Sequence, residues 1–170
     1  MKLAETVTFG GSGLDRAAEL RGDSERIAAL LSDPATRALP VWRGKPLFEG
    51  AEHTSAGWLA VSNPVFGLAD EAPTFLGLGE SGAHFAYDIS GWEPQELPDT
   101  LGAFFDPSEQ RHPDLPEDYR FAELRGVMTR LTPRDAELVA TAKAILGWHE
   151  SHGHCARCGA ATVVGQAGWQ

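Results

Sequence analysis

The chain has 170 residues, 14 Lys and Arg against 24 Asp and Glu, and a formal net charge of −10. That length suits one core-forming domain with a short appendage; two full domains would be tight. So acidic a surface repels phosphate backbones and anionic lipid, which argues against nucleic-acid binding, although local arginines can still hold a small anion.

No stretch approaches the roughly 20 apolar residues of a membrane span. The start, Met1-Lys2-Leu3-Ala4-Glu5, carries an early acid and lacks the apolar run of a signal peptide, so a cytoplasmic protein is expected. Gly10-Gly11-Ser12-Gly13 reads as flexible, and Leu14, Ala17, Ala18 and Leu20 as a brief ordered segment. Asp23 or Ser24 is a suitable cap for a short helix over residues 25–32, in which Ile27, Leu30 and Leu31 recur at helical spacing before Pro34.

The middle of the chain reads as antiparallel strands: residues 37–42, a turn at Gly44, residues 46–48, then 57–61 ending at Asn63-Pro64. Residues 74–76 and 84–88 follow, joined through glycines. Frequent Gly, Pro and Asn between short aromatic and branched runs are what hairpins require. Residues 94–116, rich in proline and acid, are expected to loop over the surface, their carboxylates solvated. Thr132-Pro133-Arg134-Asp135 is a strong helix start. Leu138, Val139, Ala142, Ile145, Leu146 and His149 fall on one face of a helix over residues 133–150, with Gly153 as terminator. Strands followed by one long helix argue for an α+β domain, an antiparallel sheet with packed helices.

The sharpest motif is His154-Cys155-Ala156-Arg157-Cys158-Gly159, which contains both cysteines of the chain. Thiolates two residues apart can chelate one tetrahedral zinc, because the tight turn aims both sulfurs at a common point. A redox pair and two inert cysteines are the rival readings. The redox motif normally opens a helix after a strand, whereas this pair follows a helix. A structural zinc site needs four ligands, and no cysteine or histidine lies between Cys158 and Gln170. His149, His152 and His154 are poorly placed to complete it: His149 belongs to the helix face, and His154 adjoins Cys155. The expectation is half a zinc ribbon whose second half lies outside the chain, with residues 159–170 mobile in its absence.

Gly77-Leu78-Gly79-Glu80-Ser81-Gly82 has the spacing of a dinucleotide fingerprint, but a strand-like run rather than a helix follows it, so it reads as a hairpin turn. Gly10-Gly11-Ser12-Gly13 lacks the lysine of a P-loop. His53, His84 and His112 are scattered and form no catalytic pattern. Trp42, Trp58, Trp92 and Trp148 read as core or interface residues.

The run Phe121-Ala122-Glu123-Leu124-Arg125, the alanine- and leucine-rich helix, and Leu146-Gly147-Trp148-His149-Glu150-Ser151-His152-Gly153-His154-Cys155-Ala156-Arg157-Cys158-Gly159 resemble the NADH pyrophosphatases of the Nudix hydrolase superfamily. Ala167-Gly168-Trp169 looks like the strand ahead of that family's second cysteine pair, and Thr8-Phe9-Gly10-Gly11-Ser12 with Leu14-Asp15-Arg16 is similar to its opening segment. The resemblance implies a Nudix-like amino-terminal α+β domain at residues 1–150 and the first half of a zinc ribbon at 151–170, with Cys155 and Cys158 as structural zinc ligands. It also implies a separate catalytic domain, whose glutamates hold magnesium or manganese over the pyrophosphate of NAD(H) to give nicotinamide mononucleotide and AMP, with NAD-capped RNA as a further candidate substrate. Homodimerisation through the amino-terminal and ribbon regions is a further implication. The sequence contains neither an Arg-Glu nor a Glu-Glu dipeptide, so the Nudix box is absent and the chain itself is expected to be inactive. A free-standing zinc-knuckle module that binds a protein partner, or a Cys-x-x-Cys redox protein, are the alternatives.

Overall fold

The computed structural model describes residues 9–10, 13–101, 103–104 and 106–170. Thr8, Gly11 and Ser12 of the opening segment therefore lie outside the described residues. Helix α1, Ser24–Ser32, starts where Asp23 accepts a hydrogen bond from the Arg26 amide, a cap that satisfies one of the free donors of the first turn.

Among the described residues seven strands form the sheet: β1 (Arg37–Trp42), β2 (Lys45–Glu49), β3 (Ser55–Ala56), β4 (Leu59–Ala60), β5 (Thr74–Leu78), β6 (Ala83–Asp88) and β7 (Arg120–Phe121). The order is β3-β2-β1-β6-β5, with β4 on β1 and β7 on β2. A two-residue turn at Arg43-Gly44 joins β1 to β2, in register Trp42 with Lys45. The expected glycine turn between β5 and β6 is indeed a hairpin, closed by Gly79 N–H to Gly82 O at 2.8 Å.

The α+β class is as read from the sequence, but the sheet is mixed rather than wholly antiparallel, because β1 and β6 run parallel from Arg37–His84 to Val41–Asp88. Alternation of apolar residues marks a strand, yet carries no information about which neighbour it takes or in which direction. Pro40 lies inside this central strand without an N–H to donate. One edge of β1 is shared between β4, at residues 37 and 38, and β2, at 41 and 42, so Pro40 falls at the changeover between partners. The expected strand over 57–61 is cut to β4 and preceded by β3, which pairs elsewhere.

Helix α2 (Leu124–Val127) and helix α3 (Pro133–Ser151) follow the last strand. Thr132 caps α3 by accepting from the Asp135 amide, as its sequence anticipates. Leu138, Val139, Ala142 and Leu146 are buried against β1, β2, β3 and β5, and Ile145 and His149 are half-buried at the edge of that face. Trp42, Phe48, Phe75, Phe85 and Phe121 fill the centre, each completely enclosed. Such side chains contribute most of the burial free energy of a domain this size.

The described part of residues 94–116 has no helix or strand of its own, as expected. Its acids are not all solvated, however. Asp106 is buried, 2.7 Å from the equally buried Lys45 Nζ, and accepts hydrogen bonds from Thr100 and Ser108. A proline-rich loop whose internal backbone pairing is limited to isolated turns needs such an anchor to lie in one place, and residue type alone does not reveal it. No helix among the described residues is long and apolar enough to cross a membrane.

Candidate metal centre

Beyond α3 the chain doubles back. His152 closes the helix through its amide to His149 O, and His154 pairs with Ala161 across a narrow antiparallel bridge. Within it, Cys155 N–H donates to Ala160 O and Gly159 N–H to Cys155 O, both at 2.8 Å. Gly159, at φ +71°, takes the left-handed conformation that a knuckle demands directly after its second sulfur. Thr162 pins the base of the hairpin, donating its amide to Gly153 O at 3.0 Å and its hydroxyl to His152 O at 2.8 Å.

Cys155 is half-buried and Cys158 exposed, both as free thiols. The amides of Arg157 and then Cys158 donate to the Cys155 sulfur, and with a contribution from the Cys158 thiol they hold it below the ordinary cysteine range. Amides aimed at a sulfur favour the thiolate, which is the form that binds metal. A redox pair at a helix start would draw its thiolate stabilisation from the helix dipole; here a turn within a hairpin supplies it.

Two of the three nearby histidines are otherwise engaged, and the third, His154, is exposed beside Cys155. His149 Nε2 lies 2.9 Å from Gly168 O, and His152 Nδ1 lies 2.9 Å from Ser151 Oγ. Among the described residues, no group of three or more His, Cys, Asp or Glu is arranged to hold a metal ion. The donor set therefore fits half of a tetrahedral zinc site, two sulfurs of four ligands. A cavity of about 510 Å³ lies beside the knuckle, lined by Trp148, His149, His154, Cys155, Val163 and Val164. Its apolar wall is open: Trp148 is 45% exposed and Val163 89%.

The tail departs from the sequence expectation. Residues 159–170 are not free: Trp169 Nε1 donates to Phe75 O at 2.6 Å, and the Arg21 guanidinium lies over the indole, 3.6 Å from its centroid. Gln166–Gly168 is a 3₁₀ turn, not the strand that Ala167-Gly168-Trp169 suggests. Gly168 passes so close to β5 that a Cβ there would come within 2.8 Å of Thr74 Cα. The half-buried indole, packed on the edge strand of the sheet, holds this segment. Its partners, Arg21 and Phe75, lie far away in sequence, which is why local pattern gave no sign of it.

The remaining histidines are packing residues. His84 stands edge-on to Trp58 with ring centroids 4.9 Å apart, and burial followed by the charge of Arg134 keeps its imidazole below the usual value. His53 packs on Phe48 and His112 on Trp92. Trp42 is core, tied by its indole N–H to Trp92 O at 2.9 Å, and Trp58 and Trp92 are half-buried against the core.

Against known proteins, the NADH pyrophosphatase-like rudimentary NUDIX domain matches residues 35–148, two-thirds of the chain. The chain belongs to that family. The human protein named NAD(P)H pyrophosphatase NUDT13, mitochondrial, is 46% identical over 48 residues, which make up 28% of this chain and only 14% of that relative. The family's domain is thus the mixed sheet with α3 laid across it, and the cysteine knuckle lies just beyond its last matched residue.

Proposed function

We propose that this chain is the non-catalytic amino-terminal region of a NAD(H) pyrophosphatase: a Nudix-like scaffold at residues 1–150 carrying the first half of a zinc ribbon at 151–170. The observation that carries this reading is a rudimentary NUDIX domain followed at once by a thiol knuckle, in a chain with no Nudix box. Cys155 and Cys158 hold zinc together with two ligands from outside residues 1–170. Bound zinc supplies a cross-link that folds the ribbon and takes no part in hydrolysis. Magnesium- or manganese-dependent cleavage of NAD(H) belongs to a separate catalytic domain, because such ions must be held by a carboxylate cluster, and none is found among the described residues. The open apolar wall at Trp148, Val163 and Val164 supports a covering partner, the second half of the ribbon, and with it a homodimer of the whole protein. Its location is proposed to be the cytoplasm, in contrast to the human relative, which is named as mitochondrial.

On this reading a second Cys-x-x-Cys follows within about ten residues of Gln170, set by the usual ribbon spacing, with the Nudix box further on. The test has two arms. The 170-residue chain, incubated with NADH and magnesium, should release no mononucleotide by chromatography; turnover by this chain would overturn the scaffold role. The longer protein should contain one zinc per chain by elemental analysis, lost in Cys155→Ser/Cys158→Ser while the melting of the amino-terminal domain stays in place. Full zinc in that double variant would remove the knuckle from the metal site.

A further inference from the structure

We propose that the cavity between the β1–β2 turn, α2 and α3 is a binding site for a phosphate monoester carried on a small molecule with a flat ring. The cavity, about 290 Å³, is lined by Arg43, Lys45, Arg125 and Lys143 together with Asp106, Glu123 and the loop residues Leu101 and Phe104. Four of the 14 cationic side chains of a chain with net charge −10 thus converge on one concavity, from three separate parts of the sequence.

Not all of that charge is available. Lys45 is consumed: it is buried, 2.7 Å from Asp106 Oδ2, and donates to both oxygens of Ser108. Arg43 pairs with Glu93, whose side chain is 66% exposed, and such pairs are weak enough to be exchanged for a better anion. Lys143 lies 3.4 Å from Glu123, longer than a charge-assisted hydrogen bond, and also donates to Gly44 O. Among the described residues Arg125 meets no carboxylate; its guanidinium rests over the Phe104 ring, 4.6 Å from the centroid.

Two arginines and a lysine around one hollow are suited to a tetrahedral dianion, whose several oxygens can be shared among planar guanidinium forks and a compact ammonium. A carboxylate, with a single charge and two coplanar oxygens, matches three cations around a hollow less well than a tetrahedral dianion does. Phe104 is 90% exposed, an unusual position for so large an apolar ring, and lies directly beside these cations. It offers a stacking face for a ring attached to the phosphate. A mononucleotide has both features. The acidic remainder of the surface disfavours a polyanion, so the ligand is small. The proposal requires no catalytic or metal site, so it stands or falls independently of the scaffold reading.

Isothermal titration of the 170-residue chain with inorganic phosphate, AMP and adenosine tests it. AMP should bind most tightly, phosphate more weakly, and adenosine not measurably in the same range. Arg125→Gln, at an exposed position on α2, should weaken AMP roughly tenfold, the effect of one lost charge-assisted contact. Arg125→Gln/Lys143→Gln should abolish binding, and Arg111→Gln, outside the cavity, should leave it unchanged. The proposal fails if neither phosphate nor AMP gives saturable heat up to about 10 mM, a limit corresponding to a barely favourable site. It also fails if adenosine binds as well as AMP, or if the exposed Arg125→Gln variant binds AMP like the parent. Equal affinity for AMP and phosphate would overturn the part given to Phe104.

Discussion

The sheet with α3 and the hairpin beyond it are held by different forces. In the first, Trp42, Phe48, Phe75, Phe85 and Phe121 are enclosed and each strand finds at least one partner. In the second, from His152 to Gln170, the only buried residue is Gly168; backbone hydrogen bonds shape the knuckle, and one tryptophan fastens the tail to β5. Apolar burial supplies the stability of the body, whereas the knuckle has almost none to offer and is the kind of element that a metal completes. The difference teaches where mutations should register: deeply in the body, locally in the appendage.

The largest effect is expected in the core. Trp42→Ala removes a fully enclosed indole and its bond to Trp92 O, and should cost about 3–5 kcal/mol in denaturant unfolding. A loss under about 1 kcal/mol would mean that the body is not held by its centre.

The loop anchor comes next and brings a pH signature. Lys45→Ala leaves Asp106 buried without its cation, at a cost of about 3 kcal/mol. In the parent, burial alone would raise the Asp106 pKa, but Lys45, Ser108 and Thr100 outweigh it and hold the group well below the ordinary carboxylate range. A depressed carboxylate stabilises the fold above its unfolded value, near 3.9, and the contribution drains away as pH falls beneath it. The parent should therefore lose stability below about pH 4 more steeply than Asp106→Asn does, the comparison being made at that aspartate value. Parallel acid profiles would remove this anchor from the account.

The smallest effect belongs to the appendage. Trp169→Ala deletes the indole contact with Arg21 and the bond to Phe75 O and should cost the global fold only about 1–2 kcal/mol. Amides from Gly165 to Gln170 should nevertheless lose their hydrogen-exchange protection, while those of α3 keep it. If protection of the tail survives, something other than Trp169 holds it, and the contrast between the two regions weakens.

Much of the body was legible because its signals are local. The Asp23 and Thr132 caps, the apolar face of α3 and the hairpin at Gly77–Gly82 each follow from a few adjacent residues, and each is found where the sequence puts it. The short helix α2 escaped notice: its four residues contain a glycine and are too few for a periodic pattern to develop. The thiol pair was equally plain, because its spacing alone dictates a tight turn. By contrast the basic cavity was invisible in the sequence, since Arg43, Arg125 and Lys143 are ordinary surface cations until three separate elements bring them together.

By itself the sequence determined the α+β class, the capped helices, the absence of a Nudix box and the position of the knuckle, all of which depend on nearest-neighbour chemistry and periodicity. Only the tertiary structure decided that β1 and β6 run parallel, that Asp106 is buried on Lys45, and that Trp169 returns to Phe75. Those contacts join residues dozens of positions apart, and their free energy exists only once the chain has closed the intervening loops.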